Sequence, residues 1–150
     1  MKLTQRVLTQ RAKPITFEHP WQNHRLAQDM FALMQQERGI GLAATQIGLR
    51  KRLFVMAVEG WHRACFNPEI IRSSPEIVDW NEGCLSFPGD RCIIKRPQWI
   101  DVRYQDAEGQ QHSERYAGLL ARCYQHELDH LDGITMWDRY KEQHAEQSRD

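Results

Sequence analysis

His126-Glu127-Leu128-Asp129-His130 holds residue types at a spacing that suits metal-assisted hydrolysis. On a helix, residues four apart lie on one face, a turn above each other, so two imidazoles so placed can share one cation. Glu127 follows the first of them, where a carboxylate can take a proton from a water held on that cation. Leu119, Leu120, Cys123, His126, Glu127 and His130 recur at helical spacing, and Gly133 suits a C-terminal stop. A polar helix face can spell the same five letters, so the pattern requires a third ligand.

Downstream residues supply none. The extended form of the motif would end at Met136, a poor ligand for a hydrolytic metal. Glu142 and Glu146 lie in a very polar tail. Cys123 is on the right stripe, but seven residues of helix separate it from His130, a rise of about 10 Å. Upstream, Cys84 lies in Glu82-Gly83-Cys84-Leu85-Ser86-Phe87-Pro88-Gly89, where glycine and proline favour defined turns that could present a thiolate to a facing helix. A free cysteine is equally at home as a small buried apolar residue, and both readings stand at this point.

A glycine-rich block offers a different chemistry. Gly39-Ile40-Gly41-Leu42-Ala43-Ala44 matches a dinucleotide-binding turn, which needs a strand before it and a long helix after it. The order here is the reverse. Leu26, Met30, Leu33 and Met34 form a helical stripe before the glycines, and the apolar run Leu53–Val58 follows. Nucleotide binding is therefore set aside.

The elements that must position these residues can be read in outline. The pattern predicts a helix near 23–37 and strands near 52–58, 69–72, 76–81, 91–95 and 98–105. A turn at Asp106–Gly109 leads to a strand near 110–116, and the metal-binding helix spans about 117–132. The expected class is α+β, with mainly antiparallel sheets packed around that central helix, in one domain over 1–150. The five tryptophans, at 21, 61, 80, 99 and 137, read as core and surface anchors. Twenty basic and twenty acidic residues cancel, so no global field would recruit DNA, RNA or anionic lipid. The N-terminus lacks the apolar run of a secretory signal, and no stretch is long enough to span a membrane. Four cysteines, at 65, 84, 92 and 123, show neither Cys-x-x-Cys pairing nor disulfide-scaffold density, which fits a reducing cytoplasm.

Taken together, Gly39–Gln46, Glu82–Ser86 and Gln125–Leu131 resemble the three motif blocks of peptide deformylases, in that family's order and spacing. The resemblance runs from about Gln5 to Tyr140, and Cys-Leu-Ser in the middle block is similar to the bacterial and organellar main branch. It implies that Cys84, His126 and His130 hold one divalent ion, Fe²⁺ in the cell, with Zn²⁺, Ni²⁺ or Co²⁺ able to substitute. Glu127 would be the general base, and the Gln46 amide and the Leu85 N–H would stabilise the oxyanion. The implied reaction hydrolyses N-formyl-methionyl peptides and nascent chains to formate and a free amino terminus. Ile40, Leu119, Leu120 and Cys123 would wall the methionine pocket. Backbone near Ile40, Gly41 and Gly83 would pair with the peptide, and Arg91 would contact it. A general metalloprotease and a silent metal-binding protein are the rival classes. The tail from Lys141 to Asp150 is short, mixed in charge and nearly without apolar residues, similar to compact phage-encoded members. It is expected to bury little surface and to dock weakly, if at all, on ribosomes; a monomer is expected.

Overall fold

The apolar run Leu53–Val58 becomes strand β2, buried along almost its whole length because elements cover both of its faces. In this computed structural model, which describes residues 1–145, β2 turns through Glu59–Gly60 into β3, Trp61–Ser73. Both turn residues have positive φ, 49° and 86°, the geometry of a tight hairpin turn. Strand β1, Gly41–Ala43, pairs with the other edge of β2. Strands β6, Trp99–Gln105, and β7, Gln111–Ala117, complete a five-stranded antiparallel sheet in the order β1-β2-β3-β6-β7. A separate antiparallel hairpin joins β4, Ile77–Gly83, to β5, Arg91–Pro97.

Helix α1, Pro20–Gln36, lays Met30, Leu33 and Met34 on one face of the sheet, with Leu42, Leu53, Val55 and Phe66. Leu26, placed on the same stripe by its spacing, is only partly buried, and Ala27 takes the inner position. The helix starts earlier than predicted because Pro20 opens it, a position where the missing N–H is not needed. Helix α2, Gly118–Leu131, crosses the other face against Phe54, Met56, Ile100 and Tyr116. Ten of its 14 residues are buried, so it is the central helix that the sequence predicted. The α+β class and the antiparallel sheets follow the expectation.

Three local features differ from the prediction. The strand expected at 69–72 is the second half of a 13-residue strand that passes through Pro68. Proline argues against a strand interior, but here a bulge between Phe66 and Glu69 absorbs it. Asn67, with φ of 50°, donates to and accepts from the Ile15 backbone at this point. Secondly, a short 3₁₀ helix, Ala44–Ile47, follows β1 and carries Gln46. Thirdly, a helix that the sequence did not predict, α3, Met136–His144, leads into the polar tail. Thr135 and Asp138 form its capping box, and Met136, Trp137 and Tyr140 pack on Cys92 and Ile94. These apolar contacts end at Tyr140, before the expected tail, whose residues 141–145 are exposed or half-buried; residues 146–150, with Glu146, lie outside the described residues. Of the tryptophans, Trp21 is exposed, Trp99 lies under Arg115 at 3.8 Å, and Trp137 joins the third core cluster.

Candidate metal centre and active site

Helix α2 presents His126 and His130 one turn apart, with their Nε2 atoms 3.2 Å from each other. The Cys84 sulfur, at the start of the loop that joins β4 to β5, lies 3.3 Å from His130 Nε2. These three ligand atoms all fall within 4.8 Å of one another. Cys84 is thus brought to the histidines, and the three together form a group that could hold a metal ion. Met136 is buried in the third core cluster, and Cys123 lines the neighbouring cavity.

His126 Nδ1 lies 2.9 Å from Glu82 Oε1, and a carboxylate can only accept, so Nδ1 carries the hydrogen. Its Nε2 then faces His130 and the thiol. Burial holds His130 well below the ordinary histidine pKa, leaving it neutral with a lone pair to donate. For His126, burial also opposes charging, but the bonds to Cys84 and Glu82 outweigh it and raise its pKa to about 10 without a metal ion. Metal loading should accordingly release a proton. Two imidazoles and a sulfur suit a borderline-soft divalent cation, so the residues present fit the metal that the motif implies.

Glu127 faces the same space from the next position on α2. It is 4% exposed, and its Oε1 has no hydrogen-bond partner among the described residues. Burial raises its pKa to about 7, which tunes it to take up and return protons near neutrality. Gly41 makes room for it: a Cβ at that position would stand 2.5 Å from Glu127 Oε2 and 2.9 Å from Cys123 Sγ. Gly41→Ala should therefore displace the carboxylate and lower turnover by at least ~10-fold, because small misplacements of reacting groups are expensive in rate. Steady-state kinetics with metal content measured in parallel would check this; unchanged turnover would show that the space is not needed.

Gln46 is held at both ends of its amide. Its Oε1 accepts from the Ala43 N–H at 2.9 Å, and its Nε2 donates to Ser86 Oγ at 3.0 Å, with Cys84 Sγ at 3.6 Å. The donating end thus points at the Cys84 side of the cluster. Leu85 lies beside the cluster against Gly39, where a Cβ would meet Leu85 Cδ1 at 2.6 Å. The cavity outside the cluster encloses about 600 Å³ and is lined by Ile40, Gly41, Gln46, Gly83, Leu85, Arg91, Leu119, Cys123 and Glu127, among others. Leu120 is not among its lining residues; it is partly buried and packs against the first core cluster. Arg91 is on the rim, donating to Asn81 O at 2.6 Å.

The sequence reading passed over the groups that hold the ligands in place. Glu82 orients His126 and takes bonds from Arg96 at 2.6 and 3.0 Å and from Arg122 at 2.8 Å. Burial alone would raise its pKa, but His126 and Arg96 hold it far below the ordinary carboxylate range. Ser86 positions Gln46, and Thr45 donates to His130 O at 3.2 Å. A carboxylate within an otherwise apolar, turn-rich block was the available signal for Glu82.

A family model described as polypeptide deformylase matches residues 1–146. The chain belongs to the peptide deformylase family. It is thus a hydrolase of the deformylase class, similar to the peptide deformylase of Thermotoga neapolitana, at 43% identity over 136 residues, 90% of this chain and 82% of that protein. The crystal structure of the Thermotoga maritima peptide deformylase superposes with a TM-score of 0.84 at 42% identity, covering 89% of this chain and 90% of that one. The deformylase from Vibrio parahaemolyticus bacteriophage VP16T, solved in complex with actinonin, gives 0.85 at 34% identity, covering 91% and 100%. Deformylase relatives thus include both bacterial and phage proteins, as the resemblance implied.

Proposed function

We propose that this chain hydrolyses the N-formyl group of formyl-methionine at the start of newly made peptides, releasing formate and a free amine. The buried Glu127 carboxylate beside the Cys84–His126–His130 cluster, its Oε1 without a hydrogen-bond partner among the described residues, carries this reading. A divalent cation held by those three residues would supply Lewis acidity and make an attacking water more acidic. Glu127 takes the proton from that water and returns it to the departing nitrogen, so the bond from formyl carbon to nitrogen breaks as the amine is protonated. The Gln46 Nε2–H and the Leu85 backbone N–H stabilise the oxygen that becomes negative. Ile40, Leu119 and Cys123 enclose the methionine side chain. Backbone at Ile40, Gly41 and Gly83 pairs with the peptide as an added strand, and Arg91 meets it at the rim.

A formyl carbon carries only hydrogen beyond its oxygen and nitrogen, so a narrow site excludes bulkier acyl groups. Sulfur and nitrogen donors suit Fe²⁺ and Zn²⁺ alike, so the ligands do not choose; the family resemblance favours Fe²⁺ as the cellular ion, with Zn²⁺, Ni²⁺ or Co²⁺ able to occupy the same site. All four cysteines are free, which agrees with work in a reducing cytoplasm as a monomer. No helix among the described residues is long and apolar enough to cross a membrane.

Formate release from formyl-Met-Ala-Ser, measured beside its acetylated analogue and an unformylated peptide, tests the reading. The metal-loaded protein is expected to act on the formyl substrate alone. Internal cleavage of the unformylated peptide would indicate a general metalloprotease, and bound metal without turnover a silent metal-binding protein.

A further inference from the structure

The hydrogen bonds behind His126 extend well beyond its immediate partner. Glu82, on β4, accepts from His126 and from the Arg96 fork. Arg96, on β5, also donates through Nη1 to Asp129 Oδ2 at 2.7 Å. Asp129, on α2, receives Arg139 in turn, through Nε at 3.0 Å and Nη2 at 2.8 Å. Five charged or chargeable side chains on four elements thus form an unbroken series from α3 to Nδ1 of His126.

The series is largely shielded from water. Side-chain exposure is 9% at His126 and 3% at Glu82, 6% at Arg96 and 11% at Asp129, and 31% at Arg139. In such surroundings each carboxylate needs its cations, and removal of one leaves a charge that must find another partner. Arg96 is shared between Glu82 and Asp129, and Arg139 satisfies both oxygens of Asp129. Without Arg139, the Asp129 carboxylate has, among the described residues, only Arg96 to draw upon, at the expense of the Arg96 fork on Glu82.

We propose that Arg139 is a positioning residue for the metal centre: through Asp129, Arg96 and Glu82 it fixes the orientation of His126 and slows release of the bound ion. The proposal rests on Cys84, His126 and His130 being the ligands. It assigns α3 a role that its polar composition concealed. The rest of α3 is anchored separately, since the Gln143 amide pairs in both directions with the Lys95 backbone, at 2.8 Å each way. Gln143 therefore provides a control that loosens α3 without entering the series.

The test compares parent protein with Arg139→Met, Arg139→Lys and Gln143→Ala, each loaded with Co²⁺. The readouts are the rate of metal transfer to a chelator and the visible absorption of the bound cobalt. Loss of an outer hydrogen-bond partner of a ligand typically weakens binding by 10–100-fold, so Arg139→Met should release metal about tenfold faster, with a shifted cobalt spectrum. Arg139→Lys, which keeps the charge but not the fork, should release it faster than the parent by a smaller factor. Gln143→Ala should match the parent in both readouts. Combining Arg139→Met with Glu82→Gln should add nothing to Glu82→Gln alone, because the series is already cut.

Parent-like release from Arg139→Met overturns the proposal, as does equal acceleration by Gln143→Ala or full multiplication of the two effects in the double variant. If Arg139→Met does not fold, parent-like release from Arg139→Lys overturns it instead. A parent protein that holds no stoichiometric Co²⁺, or keeps it after loss of Cys84, would refute the ligand assignment, which is a separate failure.

Discussion

Replacement of Glu127 by glutamine is expected to leave metal bound and to reduce turnover by ~10²-fold or more, the usual scale for removing a general base. The amide has the same shape, so it should fit over Gly41, where the space is set by close contact with Oε2. It cannot take up a proton from water. The same change should leave stability equal or higher. Burial raises the Glu127 pKa from 4.5 to about 7, so the folded chain binds this proton more tightly than the unfolded chain does. Stability is therefore fully present below about pH 4.5 and falls as pH rises toward 7, where the carboxylate must ionise while buried. A neutral amide removes that penalty. Turnover, metal content and melting temperature measured on one preparation would check the whole statement. Full activity in a folded, metal-loaded variant would remove Glu127 from the mechanism, and a large loss of stability would show that its carboxylate is structural.

Replacement of Cys84 by serine should abolish stoichiometric metal retention, with activity lost in proportion. A serine hydroxyl stays protonated near neutrality and binds a soft cation poorly, whereas the thiolate contributes both charge and polarisability. The loss should exceed the 10–100-fold typical of removing an outer hydrogen-bond partner. Cys65→Ser and Cys92→Ser provide the comparison, because those thiols are buried in core clusters outside the ligand group. Both should keep metal near one equivalent, although Cys65, fully buried, should lose some stability when given a hydroxyl. Elemental analysis after desalting would decide. Tight retention by Cys84→Ser, with loss in another cysteine variant, would reassign the ligand.

What the sequence determined by itself was mostly local. The spacing of His126 and His130 puts two imidazoles on one face of any helix, and the apolar stripe around them makes that helix form. The positions of α1, β2, β4, β5, β6 and β7 were likewise visible, because alternation and helical periodicity report on which face is buried. Polar and proline-containing elements were not. Strand β3 runs through Pro68, and α3 carries one fully buried residue, Met136, so neither shows the pattern on which such a reading depends.

The partners of the ligands were decided by tertiary structure alone. Cys84 reaches His130 from 46 residues away, and Glu82 reaches His126 from 44, because the β4–β5 hairpin packs across α2. Nothing near Glu82 in the chain indicates that Arg96 and Arg122 will balance its charge, or that Arg96 will be divided between it and Asp129. Nor does Arg139 announce, from within a polar helix, that its fork will close on Asp129. A helix sets its own side-chain spacing through backbone geometry, but a buried charge network exists only when separate elements exclude water together. That exclusion is a property of the packed molecule, and it is what holds His126 in orientation and raises the pKa of Glu127 toward neutrality.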